Sequence, residues 1–341
     1  MIQPISALLS LLLLFASAAP LQAEGGHDVD RLLAEAVHAP RHLSFFARVE
    51  HVSFDSHATR SVLVRVEHMA PNLTRRTYLA PRRLFGNSTV QVDQRLYEFD
   101  IHHRRLIRSL RRDPDDLETV QNFMLLSRNY RAVRGGETTI AGVRAESISL
   151  LNRRSRKKIL TIWCDEHTHL IVEKETFDSD GAIASNMQFE ALRYTSSISP
   201  AVFSTDPPPG FSIVARDRLR PRRTLPEIIA EAPFRGVEPS ILPDGFSLID
   251  ASFPEIRGVP MLHLLYSDGI RTLSVFENTK DSAVGFHGYV ARNVSVDGHA
   301  AKAMTDGADS LLTWRDNNEI TFTLVGDLTD HELLTISQML R

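Results

Sequence analysis

The spacing of apolar residues divides this chain before any other property does. Leu8 to Ala19 is an almost unbroken apolar run, and Pro20-Leu21-Gln22-Ala23 after it ends in a small residue before Glu24, the layout of an export leader. The run falls short of the ~20 apolar residues a transmembrane helix needs, so residues 1–23 are predicted to be a signal peptide that is removed. From Val29 to Val37 the period is helical, with Leu32, Leu33 and Ala36 on one face and Arg31 and Glu35 on the other; Asp28 is the expected cap and Pro40 the stop. From Leu43 the period drops to two. Val62, Val64 and Val66 alternate with Leu63, Arg65 and Glu67, and strand-like runs follow at Arg76 to Leu79, Thr89 to Val92 and Leu96 to Phe99.

A break at Asp113-Pro114-Asp115-Asp116 precedes a predicted helix from Leu117 to Leu126, capped by Asp115 or Asp116 and apolar at Val120, Phe123, Met124 and Leu126. Strands resume at Thr138 to Ile140, Val143 to Leu151, Lys157 to Cys164, Leu170 to Phe177 and Ile183 to Tyr194. Gly181 supplies the positive φ of the last turn. Ile159, Leu160, Ile162 and Trp163 are apolar on both faces, so something must cover each side, as a curved sheet with helices in its concave face would arrange. Ser199 to Pro243 then carries nine prolines, a density at which no regular sheet is expected. It reads as an ordered linker, narrowest over 207–235. Beyond it come strands at Ser247 to Ser252, Met261 to Tyr266, Thr272 to Glu277, Val290 to Val296, Ala300 to Met304, Asp309 to Arg315 and Glu319 to Val325. A last helix starts at Thr329, with Glu332 completing a capping box.

Removal of the leader leaves 318 residues, enough for two domains. The single cysteine, Cys164, has no disulfide partner in the chain and sits beside Ile162 and Trp163, so it reads as a buried thiol. Charge is unevenly placed. Between Arg60 and Arg112 twelve Arg face four carboxylates, whereas from residue 201 onward 13 Lys and Arg face 19 Asp and Glu. An Arg-rich surface usually points to nucleic acid, but an exported chain meets lipid phosphates or acidic protein segments instead; nucleic acid is not an expected partner.

The chain lacks a Gly-rich phosphate loop, a Gly-x-Ser-x-Gly elbow and a Cys-x-x-Cys pair. His331-Glu332-Leu333-Leu334-Thr335 has Thr where a zinc protease needs its second His, and helix capping accounts for His331 and Glu332. His167-Thr168-His169 and His102-His103 lie in turns without a ligand set around them. The residues therefore predict no enzyme, no metal site and no cofactor.

Two groups of motifs together resemble the MucB/RseB family of periplasmic regulators of the envelope-stress sigma factor E. The first is Thr138-Thr139-Ile140-Ala141-Gly142-Val143-Arg144-Ala145-Glu146, Ile162-Trp163-Cys164-Asp165, Leu170-Ile171-Val172 and Phe177-Asp178-Ser179-Asp180-Gly181. The second is Leu242-Pro243-Asp244-Gly245-Phe246, Leu265-Tyr266-Ser267-Asp268-Gly269 with Leu273-Ser274-Val275-Phe276, and Glu319-Ile320-Thr321 running to Val325-Gly326-Asp327-Leu328. The resemblance implies an α+β chain: an N-terminal LolA-like domain over 24–206, an unclosed half-barrel of antiparallel sheet with helices on its concave face, and a smaller mixed α/β C-terminal domain over 236–341. It also implies a protein of the periplasm that binds the periplasmic segment of a transmembrane anti-sigma factor and responds to lipid or lipopolysaccharide, modulating sigma-factor release. The segment from Val66 to Pro71 and from Tyr78 to Pro81 resembles lipoprotein-sorting carriers equally, so a LolA-like carrier of lipid or lipoprotein acyl chains stands as the alternative.

On either reading Phe45, Val62, Val64, Val66 and Trp163 are candidates to line a lipid cavity, each buried CH₂ contributing ~0.8 kcal/mol. Arg104, Arg105, Arg108, Arg111 and Arg112 are candidates for anionic groups, and Phe246 and Tyr266 for docking the partner protein. Self-association is left open.

Overall fold

The computed structural model describes residues 26–54, 59–110, 120–178, 181–215, 224–256, 258–280, 291–306 and 309–340. Helix α1 (Gly26–His38) buries Val29, Leu32, Leu33, Ala36 and Val37, the stripe that its 3.6-residue period dictates. It starts at Gly26, so Asp28, the expected cap, lies inside the first turn. Its end is sharper, because Ala39-Pro40-Arg41 tighten into a 3₁₀ turn.

The alternating region folds into β1 (Phe45–Phe54), β2 (Thr59–Met69), β3 (Leu73–Ala80), β4 (Ser88–Val92), β5 (Arg95–Asp100) and β6 (Arg105–Leu110). After helix α2 (Val120–Asn129) the chain continues as β7 (Tyr130–Ile140), β8 (Val143–Asn152), β9 (Lys158–Asp165), β10 (Ile171–Phe177), β11 (Ile183–Tyr194) and β12 (Ser212–Ala215). These twelve strands form one sheet in the order β12-β6-β5-β4-β3-β2-β1-β11-β10-β9-β8-β7. Two antiparallel meanders are thus joined by one long-range pairing, β1 with β11, and the sheet stays open between its edge strands β12 and β7.

Two sequence expectations change here. Helix α2 runs on to Asn129, and Met124 is 65% exposed while Leu125 and Leu126 are buried. Leu126 joins the cluster under α1, and at about 100° per residue Met124 is carried to the far side of the helix; Asp115 and Asp116 lie outside the described residues. The proline-rich segment also contains a strand, since β12 pairs in parallel with β6. Pro207–Pro209 precede it and Pro221 follows, so the four residues between them keep every amide donor.

The second half begins with the one-turn helix α3 (Leu225–Ile229). It then builds β13 (Ser247–Ser252), a two-residue ribbon of β14 (Glu255–Ile256) and β15 (Val259–Pro260), and β16 (Leu262–Ser267), β17 (Thr272–Asn278), β18 (Arg292–Val296), β19 (His299–Asp306), β20 (Asp309–Arg315) and β21 (Thr321–Gly326). Seven of these strands form an all-antiparallel sheet, β13-β16-β17-β21-β20-β19-β18. Helix α4 (Asp330–Ser337) covers it, burying Leu333 and Ile336, and carries the capping box read from Thr329 and Glu332. Two short helices, α3 and α4, accompany the seven-stranded sheet and the two-residue ribbon, so sheet dominates this half.

Candidate ligand cavity and the junction between the sheets

A cavity of about 2280 Å³ opens over one face of the first sheet. Its sheet wall takes every second residue of each strand: Val62, Val64, Val66 and His68 from β2, Thr74, Arg76 and Tyr78 from β3, and Ser185, Met187 and Phe189 from β11. Alternation is what puts them on one face. Across the strands Val64 stands opposite Val49 and Val49 opposite Phe189, forming an apolar row. The next row runs Val62, His51, Met187, Lys174, and the one after it Arg60, Ser53, Ser185, Thr176. The wall therefore grades from aliphatic to polar and basic along the strands.

Helix α1 sits on this same face. Ile162 is the cross-strand partner of Lys174 and Ile148 of Ile162, and both isoleucines pack with Leu32, Leu33 and Ala36 in one core cluster. The helix thus covers the β8–β9 end of the face, and Ala36, Val37 and Pro40 border the cavity. His68 ties the two together: one ring nitrogen bonds Pro40 O at 2.7 Å and the other the Thr74 hydroxyl at 2.8 Å, with the ring stacked on Phe45. Since Pro40 O only accepts, Nε2 carries a proton and donates to it, and in the neutral ring Nδ1 accepts from the Thr74 hydroxyl. Burial, and then Arg76, hold the pKa of His68 below its usual range, and burial and Lys174 do the same for His51.

The sequence candidates divide. Phe45, Val62, Val64 and Val66 all line the cavity. Trp163 does not. It stands opposite Ser147 and Glu173, one residue out of step with Ile162 and Lys174, so it leaves β9 on the side away from them, and it packs against the cluster of Phe45, Ala145 and Val172 rather than the one under α1. Arg104 lies in the β5–β6 turn, Arg105 bonds Asp100 at 3.0 Å, and Arg108 follows on the face opposite Ser109, the β6 residue that borders the cavity; Arg111 and Arg112 lie outside the described residues. The basic groups on the sheet wall are instead Arg60, Arg76 and Lys174, spread over three strands that no local motif unites, and Arg154, Lys157 and Arg271 border the cavity as well. Cys164 is fully buried, and burial together with Glu146 pushes its thiol up to about 12.

The second half supplies the opposite wall, including Ile241, Leu242, Asp330, Thr335, Ile336 and Met339. Ile241 is 60% exposed, an apolar side chain offered to the opening. Phe246 and Tyr266, the expected docking residues, are placed elsewhere: both are buried in the core of the second sheet, because their strand and turn positions point inward. The Tyr266 hydroxyl is buried without a partner among the described residues, and burial with Glu238 and Glu277 raises its pKa.

A polar junction holds the halves in place around the cavity. Asp268, fully buried at the β16–β17 turn, accepts from the Tyr130 hydroxyl at 2.7 Å, from Arg271 Nε at 3.0 Å and from the amides of Ile270 and Arg271. The Asn129 side-chain amide donates to Gly245 O at 2.9 Å and to Asp268 O at 2.8 Å. Arg271 reaches on to Glu332 at 3.3 Å, and Arg154 pairs with Asp244. Gly245 has φ of +92°, and an added Cβ would lie 2.7 Å from Asn129 Cγ, so a side chain there is strained and displaces Asn129.

Fold and site define a class: proteins of two antiparallel-rich sheets with a large cavity between the open twelve-stranded sheet and the second half. Residues 86–206 match the family model described as the MucB/RseB N-terminal domain, so over that stretch the chain is similar to the MucB/RseB family. The Sigma-E factor regulatory protein RseB of Escherichia coli (strain K12) is 26% identical over 196 residues, 57% of this chain and 57% of that protein. Its Salmonella typhimurium counterpart matches equally. The chain therefore spans less than two thirds of the length of these curated relatives. Among solved structures, the MucA/MucB complex of Pseudomonas aeruginosa superposes with a TM-score of 0.64 at 17% identity, covering 92% of this chain and 98% of that one. MucB solved as "Crystal structure of MucB" gives a TM-score of 0.54 at 16% identity over the same shares. These superpositions establish the shared fold across both halves.

Proposed function

We propose that this protein is a periplasmic regulator that binds the periplasmic segment of a transmembrane anti-sigma factor and answers to lipid or lipopolysaccharide in its cavity, modulating release of the sigma factor. The observation that carries the reading is the cavity of about 2280 Å³ with walls from both halves. It exceeds the ~300–1,000 Å³ of a small-molecule site, so it suits an acyl chain or a stretch of polypeptide, and an occupant touches both halves at once. The relatives support the partner: RseB is named for sigma-E regulation, and MucB has been solved with MucA. The first sheet is read as an unclosed half-barrel of LolA type, with α1 in its concave face and the domains divided at 24–206, 207–235 and 236–341. Export through residues 1–23 belongs to the same reading; among the described residues no helix is long and apolar enough to cross a membrane.

Titration calorimetry of the full chain with the periplasmic segment of the anti-sigma factor tests the partner. Saturable binding that Ile241→Asp weakens at least tenfold is expected, and no heat of binding with the unaltered chain sinks the reading. Native mass spectrometry of protein purified from envelopes tests the cavity. A co-purifying lipid that Val64→Arg abolishes is expected. Lipid without any anti-sigma binding favours the carrier alternative.

A further inference from the structure

Two hairpin ends at the margin of the first sheet meet and present apolar side chains to solvent. In the β3–β4 connection the amides of Leu84, Phe85 and Asn87 bond back to Pro81 O, Arg82 O and Leu84 O, and Gly86 N bonds Tyr78 O, so the loop is internally braced. In the β5–β6 turn, Ile101 N donates to Asn87 Oδ1 at 3.0 Å, which locks the second tip onto the first. Gly86, at φ of +82°, lies so close to Ile101 that a Cβ there would meet its Cδ1 at 2.6 Å. The result is a rigid double tip from which Phe85 projects 58% exposed and Ile101 42% exposed.

The charge around this pair is one-sided. Arg82, Arg83 and Arg104 are exposed, and their guanidinium groups enter no ion pair among the described residues. The nearby carboxylate, Asp100, is taken up by His103 at 2.8 Å and Arg105 at 3.0 Å. Leu84, next to Phe85, lines the cavity, so the tip stands at the cavity's rim. An aromatic and an aliphatic side chain flanked by free arginines match the two layers of a lipid interface, apolar at the acyl boundary and anionic at the headgroups.

We propose that the Phe85–Ile101 double tip is a peripheral membrane-docking site that seats on an anionic phospholipid surface, with Arg82, Arg83 and Arg104 on the headgroup phosphates. Docking of this kind holds the cavity rim against the bilayer.

The test is flotation of the full chain with phosphatidylcholine vesicles and with vesicles containing phosphatidylglycerol. Binding is expected to the anionic vesicles only and to fade in about 1 M salt, where charge attraction is screened within ~3 Å. Phe85→Ser with Ile101→Ser, and separately Arg82→Glu with Arg83→Glu, should each weaken it about tenfold or more while the circular dichroism spectrum and thermal midpoint stay those of the unaltered chain. The charge-reversal pair lies wholly on the surface, so it tests the site even if the apolar pair disturbs the turn. Val64→Arg, which fills the cavity wall, should leave vesicle binding intact. Failure of the unaltered chain to bind anionic vesicles overturns the proposal, as does binding that survives both tip variants or disappears with Val64→Arg.

Discussion

At the scale of single residues, two positions in the second half carry measurable consequences. Glu277 is fully buried on β17, its carboxylate facing the Val237 amide at 3.1 Å, and burial pushes its pKa up to about 8, with Asp316 adding to the rise and the Val237 amide opposing it. A folded-state value above the unfolded 4.5 means that the native protein keeps a proton the unfolded chain gives up. Stability should fall as pH rises from about 4.5 to about 8 and level off above, by at most about 5 kcal/mol at 1.36 kcal/mol per pH unit. Glu277→Gln removes that slope, so denaturant unfolding at pH 5, 7 and 9 should show the variant gaining on the unaltered chain as pH rises. Identical slopes would rule out this titration. Gly245→Ala should cost about 2–4 kcal/mol, because it strains a positive φ and pushes Asn129 off two hydrogen bonds; a loss under 1 kcal/mol would refute the close approach.

At the scale of elements, periodicity and capping decide what packing can use. Helix α1 is short and stands by its buried stripe rather than by propensity, so Leu33→Ala, deep in the cluster with Ile148 and Leu160, should cost about 2–5 kcal/mol in chemical denaturation. Thr329→Ala removes one half of the α4 capping box and should cost ~1 kcal/mol, whereas Thr329→Ser keeps it. Equal losses from both substitutions would mean that the methyl group, and not the hydroxyl, holds the helix start. Most strands of both sheets were legible because alternation survives wherever one face is wet, whereas β6, β12 and the first part of β7 were not. Helix α2 was only partly so: its own pattern allowed Met124 on the apolar face, and the choice of Leu125 and Leu126 came from what lies beneath them.

At the scale of the molecule, the junction at Asp268 couples the halves. Asp268→Ala strands the buried Tyr130 hydroxyl and leaves Arg271 with Glu332 alone, a loss of about 3–5 kcal/mol by analogy with broken buried pairs. Tyr130→Phe removes one bond while Asp268 keeps its other donors, and should cost only about 1–2 kcal/mol. If the two sheets unfold together through this contact, the unaltered chain melts in one calorimetric transition and Asp268→Ala in two. A single transition in that variant would place the coupling elsewhere.

Amino-acid order alone settles the alternation that builds both sheets, the stripe of α1, the box at Thr329 and the aliphatic run Val62-Val64-Val66, because each is a local pattern whose meaning is set within a few residues. It also carries the motifs that resemble the MucB/RseB family. Only tertiary structure decides which face of a strand meets a cavity, and that single step of alternation separates Val64 from Trp163. It also brings Arg60, Arg76 and Lys174 from three strands to one wall and turns Phe246 and Tyr266 inward. A cavity is a property of pairing between distant strands, above all β1 with β11, and no local spacing encodes that pairing.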